Sequence, residues 1–82
     1  MTINEAKKQI ICVIKNSTET EMEITEKTSL FDEMGLSSLE MFVMLGELED
    51  TFNIDIPTLK LRTVRTVGDL CQLVISILTN SV

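Results

Sequence analysis

The hexapeptide GLSSLE at positions 35–40 places the Ser38 hydroxyl at the predicted start of an acidic helix. A serine hydroxyl becomes a nucleophile when a neighbouring base takes its proton. The chain contains no histidine. A Ser-x-x-Lys pair that began at Ser38 would need a lysine at position 41, but that residue is Met41. If Ser38 reacts, we therefore expect another protein to activate it.

The same residues also have a purely structural interpretation as a helix cap. Ser37 suits the N-cap and Glu40 the third helical position, which together form a capping box. This cap leaves Ser38 at the first helical position, where unpaired N–H groups and the helix dipole favour an attached phosphate. A cap and a phosphate site are therefore compatible.

The charge distribution limits the partners that the chain can have. Its net charge of −6 at pH 7 opposes approach to nucleic acid or to anionic membranes. Between Thr28 and Leu59 there are seven acidic residues and no lysine or arginine. We expect partners with basic surfaces, no nucleic-acid binding, and a monomer.

Length and composition predict one folded domain over residues 1–82. No signal peptide is visible at the N-terminus, and the longest apolar run, between Leu73 and Leu78, is too short for a membrane span. We therefore expect a cytoplasmic protein without membrane insertion. Cys12 and Cys71 stand among aliphatic residues, which predicts two buried thiols rather than a metal site.

Helical spacing of apolar residues predicts an all-α four-helix bundle with three main helices, one short helix and a long loop after the first helix. The predicted helices cover about residues 3–15, Ser37 or Ser38 to Phe52, about 58–61, and a last helix capped by Thr66 and Asp69. The loop is expected to span the first helix, so that the second helix begins at the same end. Leu30 and Phe31 are predicted to fix this loop to the core.

The second predicted helix has two different faces. Its core face carries Met41, Leu45, Leu48 and Phe52, with Phe42 and Met44 at the flanks. Its opposite face mixes apolar residues with carboxylates: Leu39, Glu40, Val43, Gly46, Glu47 and Asp50. Such a face suits a partner with an apolar groove bordered by Lys or Arg. The carboxylates are interpreted as a solvated or partner-facing surface, and no metal is expected.

Several segments, in this order, resemble the acyl carrier protein family: Leu30-Phe31, the GLSSL run at 35–39, an acidic helix ending at Phe52, IDIP at 54–57, and Thr66-Val67. The resemblance covers nearly the full chain and implies a non-catalytic carrier with a four-helix bundle. It implies that Ser38 receives 4′-phosphopantetheine from coenzyme A through a separate magnesium-dependent phosphopantetheinyl transferase. The thiol of this arm would hold acyl groups as thioesters for fatty-acid, polyketide or related lipid biosynthesis.

Two departures from the family pattern indicate a specialised carrier. Ser37 stands where most such carriers have Asp, and Val43 stands where many have a carboxylate. We therefore expect acyl-loading and acyl-processing enzymes that recognise Leu39 and Val43 by apolar contact more than by charge. The initial Met and the polar residues 79–82 favour a stand-alone carrier.

Two alternatives are also compatible with the sequence. One is an aminoacyl carrier, of the peptidyl or D-alanyl type, although Leu36-Ser37 replaces the Gly-His that commonly precedes the serine in peptidyl carriers. The other is an unmodified acidic helical adaptor, which would bind a basic partner through the same helix face and use Ser37 and Ser38 only as a cap.

Overall fold

Three α-helices and one 3-10 segment form the fold. The computed structural model describes residues 2–80, with α1 (Ile3–Thr18), α2 (Ser38–Phe52), the 3-10 segment (Thr58–Thr63) and α3 (Val67–Asn80). Within these residues the extended pairing is a single antiparallel bridge between Ser29 and Thr66, outside any strand. The predicted all-α bundle, with its short third element and its long loop, is confirmed.

The first helix is capped as expected but is longer than expected. The Thr2 hydroxyl accepts a hydrogen bond from the Glu5 N–H at 3.1 Å. The helix passes residue 15 and continues to Thr18, where the Ser17 and Thr18 hydroxyls donate to carbonyl groups one turn back and need no partner outside the helix. Glu19, with a φ of 53°, ends it in the left-handed conformation.

The direction of the helices differs from the prediction. One groove brings together the first turn of α1 with the last turns of α2 and α3, lined by Ile3, Ala6, Thr51, Phe52, Ile75 and Leu78. Helix α1 is therefore antiparallel to both of the others, and the prediction that α2 begins at the same end as α1 is wrong. The loop between α1 and α2 packs along the start of α3 rather than crossing the full bundle.

Backbone hydrogen bonds attach this loop to α3. They join residues 26–30 to residues 65–68: Gly68 N–H to Glu26 O at 2.8 Å, Val67 N–H to Thr28 O at 2.9 Å, and Leu30 N–H to Arg65 O at 3.0 Å. A Cβ at Gly68 would lie 2.9 Å from the Glu26 carbonyl oxygen, so this approach requires glycine. An ion pair of 2.9 Å between Lys7 and Glu26 adds a contact to α1.

The predicted cap of α3 is also confirmed. The Thr66 hydroxyl accepts from the Asp69 N–H at 3.1 Å, and the Asp69 carboxylate accepts from the N–H groups of Arg65 and Thr66 at 3.1 and 3.2 Å. The hydrogen bonds from Arg65 and Thr66 lower the pKa of the Asp69 carboxyl below its ordinary value. Both residues of the capping pair are therefore used by the helix itself.

The core is aliphatic and draws on every helix and on the loop. Its fully buried side chains include Ile10, Ile14, Leu30, Met44, Leu48, Val67, Leu70, Cys71 and Val74. The prediction that Cys12 is buried is wrong: Cys12 is exposed, because it faces away from the α1 stripe of Ile10 and Ile14. Of the two residues expected to fix the loop to the core, Leu30 is fully buried, whereas Phe31 is 42% exposed and lines a surface groove. Across residues 2–80, no helix combines the length and apolar character needed to cross a membrane.

Candidate functional site

Ser37 and Glu40 form the capping box that opens α2. The Ser37 hydroxyl accepts from the Glu40 N–H at 3.2 Å, and the Glu40 carboxylate accepts from the Ser37 N–H at 3.2 Å. Ser37 has the extended backbone of an N-cap residue, with φ −79° and ψ 168°. The Ser37 hydroxyl is therefore occupied by the helix start, as the sequence predicts.

A fixed turn leads into this cap. Gly35 has a φ of 66°, which an L side chain rarely adopts, and reverses the chain before α2. Leu36 is buried, and its N–H donates to the Leu30 carbonyl at 3.1 Å. Because the Leu30 N–H in turn donates a hydrogen bond to the Arg65 carbonyl, the turn before α2 is connected to the start of α3.

Ser38 is the first residue of α2 and is exposed. Its hydroxyl makes no hydrogen bond to any group of residues 2–80, in contrast to the occupied hydroxyl of Ser37. The nearest carboxylate in the sequence, Glu40, is committed to the cap. The first helical turn also has N–H groups without intrahelical acceptors. The site therefore offers a free hydroxyl and a favourable place for an anion, but the described residues supply no base.

An apolar groove of about 140 Å³ lies beside the Ser38 side chain. Its lining residues come from the loop, from α2 and from the 3-10 segment: Phe31, Ser38, Met41, Phe42, Leu45 and Leu61. The sequence did not identify Phe31, Phe42 and Leu61 as neighbours of Ser38. For Phe42 a signal was present, since a residue four positions after Ser38 lies one turn further along the same helix face.

The outer face of α2 combines exposed apolar and acidic groups. Leu39 is 73% exposed, Phe42 57% and Val43 52%. Exposed carboxylates of Glu40, Glu47 and Asp50 accompany them, and Gly46 is half-buried on the same helix. A Cβ at Gly46 would meet no atom within 4 Å, so neither packing nor backbone conformation requires glycine there.

The inner face of α2 is close to the prediction. Met41, Leu45 and Leu48 are buried as expected, and Phe52 is half-buried at the end of the helix. The two flanks differ from each other. Met44 is fully buried within the core, whereas Phe42 is exposed and lines the groove beside Ser38.

Glu49 has a structural task that separates it from the other acids of α2. Its carboxylate accepts from the Ile56 N–H at 2.8 Å and holds the linker that follows the helix. Among the residues that the structure describes, no three His, Cys, Asp or Glu side chains come together in a way that could hold a metal ion. The remaining acids of α2, Glu47 and Asp50, face solvent separately.

Comparison with known proteins agrees with this geometry. The family model described as a phosphopantetheine attachment site matches residues 8–74. A protein of Caulobacter vibrioides (strain NA1000 / CB15N), described as an acyl carrier protein, is 36% identical over 53 residues. The matched region is 65% of this chain and 62% of that relative, so the chain spans less than two thirds of the relative's length.

Two solved structures share the fold. An acyl carrier protein from Mycobacterium tuberculosis superimposes with a TM-score of 0.81 at 32% identity, over 87% of this chain and 96% of that chain. The holo acyl carrier protein of Geobacter metallireducens gives a TM-score of 0.79 at 23% identity, over 90% of this chain and 86% of that chain, which supports the fold alone. The chain therefore belongs to the acyl carrier protein family, whose phosphopantetheine-binding domain carries a covalently attached 4′-phosphopantetheine.

Proposed function

We propose that Ser38 is the residue that carries 4′-phosphopantetheine, and that the chain transports acyl intermediates as thioesters on this arm. The observation that carries the proposal is the exposed, unbonded Ser38 hydroxyl at the first position of α2, beside an apolar groove. The neighbouring Ser37 is the competing candidate. Because the Ser37 hydroxyl already accepts the Glu40 N–H, modification there would remove the helix cap.

The surroundings of Ser38 fit a phosphodiester. The N–H groups of the first turn and the positive end of the α2 dipole favour a negative group attached at this position. The exposed side chain leaves room for an arm that extends into solvent or along the groove. The described residues therefore suit the group in charge and in space.

The chemistry of attachment requires a second protein. The Ser38 oxygen would form a bond to the phosphorus that bears the pantetheine, while the bond to 3′,5′-ADP of coenzyme A breaks. The hydroxyl proton must leave to a base, and the chain has no histidine while Glu40 is held in the cap. A phosphopantetheinyl transferase supplies this base, which is consistent with a non-catalytic carrier.

The outer face of α2 is proposed as the surface that partner enzymes recognise. Exposed Leu39 and Val43 would enter apolar pockets, while Glu47 and Asp50 would meet basic side chains around them. Ser37 and Glu40 lie at the edge of this surface, and Gly46 within it leaves space for a close approach. Val43→Glu should therefore weaken binding to the natural partner; stronger binding would show that charge dominates recognition.

The cargo is proposed to be an acyl chain of fatty-acid, polyketide or related lipid biosynthesis. The groove beside Ser38 is lined by Phe31, Phe42 and Leu61, so an aliphatic chain gains by burial there while a charged aminoacyl group does not. We further propose that residues 1–82 act as one monomeric carrier domain in the cytoplasm. A shared core from all helices and the loop supports the single domain.

Intact-mass measurement tests the attachment site. The apo protein is incubated with coenzyme A, Mg²⁺ and a broad-specificity phosphopantetheinyl transferase. We expect the mass to rise by one phosphopantetheine in the wild type and in Ser37→Ala, and to stay unchanged in Ser38→Ala. If no phosphopantetheine is added with several transferases, the unmodified adaptor is favoured. If phosphopantetheine is added to Ser38→Ala, the attachment site is another residue.

A further inference from the structure

The 3-10 segment between α2 and α3 is an exposed basic element in an acidic protein. None of its residues from Thr58 to Thr63 is buried, and Leu59 is 72% exposed. Lys60 and Arg62 are both exposed, and no acidic residue stands between positions 56 and 68. This composition contrasts with the stretch from Thr28 to Leu59, which contains acids and no bases.

The charges of Lys60 and Arg62 are not used inside the molecule. In the part of the chain that the structure describes, Lys7 and Glu26 form the single ion pair with charged atoms within 4.0 Å of each other, so neither Lys60 nor Arg62 is paired. No hydrogen bond from the side chain of Lys60 or Arg62 is formed there either. Arg65 differs, because its guanidinium donates to the carbonyl groups of Arg62 and Val64 at 2.8 and 3.2 Å. Lys60 and Arg62 are thus available to another molecule.

The segment, rather than the charged groups themselves, lies next to the modification site, since Lys60 lines a separate groove with Asp69 and Gln72 of α3. Leu61, between Lys60 and Arg62, lines the same groove as Ser38 and Phe42. The groove therefore has one side formed by the start of α2 and another formed by Leu61 of the basic segment. The carboxylates of α2 lie outside the groove, on the outer face of the helix. An enzyme that reaches the Ser38 hydroxyl across the groove has both this outer face and the segment within reach of its surface.

We propose that the transferase acting on Ser38 docks across both sides of the groove, with basic groups over α2 and acidic groups opposite Lys60 and Arg62. The exposed Leu59 adds an apolar contact on the segment side. This inference rests on the proposed attachment at Ser38 and adds the polarity of the partner. A partner that is basic over its whole footprint would be repelled at the segment, because like charges in close contact disfavour association. The bipolar arrangement therefore also fixes the orientation of docking.

The decisive experiment compares two charge reversals of equal size. Lys60→Glu/Arg62→Glu reverses the two basic charges of the segment. Lys8→Glu/Lys15→Glu makes the same change in net charge at exposed positions of α1. Attachment rates are measured with coenzyme A and a broad-specificity phosphopantetheinyl transferase at low and at high salt. We expect the segment variant to lose roughly tenfold in kcat/KM at low salt, and the α1 variant to change by less than about twofold. High salt should reduce this difference.

Other outcomes would overturn the inference. Equal effects of the two reversals would mean that only net charge matters, and faster modification of the segment variant would mean that the partner is basic there too. Binding of the wild type to phosphatidylglycerol vesicles, lost in the segment variant, would assign the segment to a lipid surface instead. Far-UV circular dichroism checks folding, and Lys60→Gln/Arg62→Gln replaces the reversal if that variant unfolds. A wild type that accepts no phosphopantetheine would instead refute the proposed function itself.

Discussion

At the scale of single residues, adjacent serines at the start of α2 have hydroxyl groups in different states. The Ser37 hydroxyl accepts the Glu40 N–H, whereas the Ser38 hydroxyl has no partner within residues 2–80. Modification of Ser38, as proposed, would therefore leave the helix cap intact. The helix cap and the proposed attachment site are separated by one position in the sequence.

Substitution of Ser37 tests this separation. Ser37→Ala should lower the free energy of unfolding by about 1 kcal/mol, because the Glu40 N–H loses its acceptor. Ser37→Asp should leave stability nearly unchanged, since aspartate caps about as well as serine. Urea unfolding followed by circular dichroism measures both. As a control, Ser38→Ala should stay within about 0.5 kcal/mol of the wild type; an equal loss in both alanine variants would contradict the assignment.

The cysteines illustrate what a sequence can say about single positions. Both were predicted to be buried because each stands among aliphatic residues at helical spacing, yet only Cys71 is buried. At about 100° per residue, Cys12 lies roughly 200° around α1 from Ile10, on the opposite side from the core. Helical spacing to some aliphatic residue was not sufficient here, because only the angle from Ile10 and Ile14 in particular separates the buried side of α1 from the exposed one.

At the scale of elements, α2 has an outer face on which glycine serves no visible structural purpose. Gly46 lies inside the helix, and an added Cβ would have open space around it. A glycine inside a helix costs roughly 1 kcal/mol relative to alanine. Its presence on the face proposed for partner recognition is therefore consistent with close contact by another protein.

Gly46→Ala separates stability from recognition. We expect the free energy of unfolding to rise by about 1 kcal/mol, because alanine restricts the unfolded chain and clashes with nothing in the folded one. The attachment rate at Ser38 should fall if the transferase approaches the bare backbone. Thr51→Ala, at an exposed position near the end of α2, serves as the control and should leave the rate unchanged. A more stable Gly46→Ala protein modified at the wild-type rate would remove Gly46 from the recognition surface.

The elements themselves were largely predictable, and their relative directions were not. Caps at Thr2, Ser37 and Thr66 identified the starts of the three α-helices, because side-chain caps are local in sequence. The antiparallel direction of α1 shows in the contact of its first turn with the ends of α2 and α3, which are distant in sequence, so no local pattern reveals it. For the same reason Phe31 and Leu61, far apart in sequence, could not be recognised as neighbours of Ser38.

At the scale of the whole molecule, α1, the loop and α3 meet around one buried thiol. Cys71 has no exposed surface. Burial, with a smaller contribution from the charge of Glu26, raises the pKa of its thiol from 9.0 to about 11. The folded protein therefore keeps this proton at pH values where the unfolded chain releases it.

Stability should consequently fall at alkaline pH. The contribution of Cys71 is fully present below pH 9.0 and is lost as the pH rises through about 11, by roughly 3 kcal/mol in total. Urea unfolding at several pH values should show a steeper decline for the wild type than for Cys71→Ala, even though the variant is less stable at neutral pH. Cys12→Ala, which changes an exposed thiol, should follow the wild type. Parallel slopes for wild type and Cys71→Ala would contradict the raised pKa.

The hydrogen bonds between the loop and the start of α3 also bear on the order of events during protein synthesis. The Leu30 N–H cannot donate to the Arg65 carbonyl until the ribosome has synthesised the residues just before α3. The chain between residues 30 and 65 must then close into a loop before this hydrogen bond forms. The Leu30 carbonyl in turn holds Leu36, just ahead of Ser38. The frame around Ser38 is thus completed only after residues 65–68 have been synthesised. We therefore expect the arm to be attached to ribosome-bound chains that include α3, and not to chains that stop before it, as intact-mass measurement of stalled chains would show.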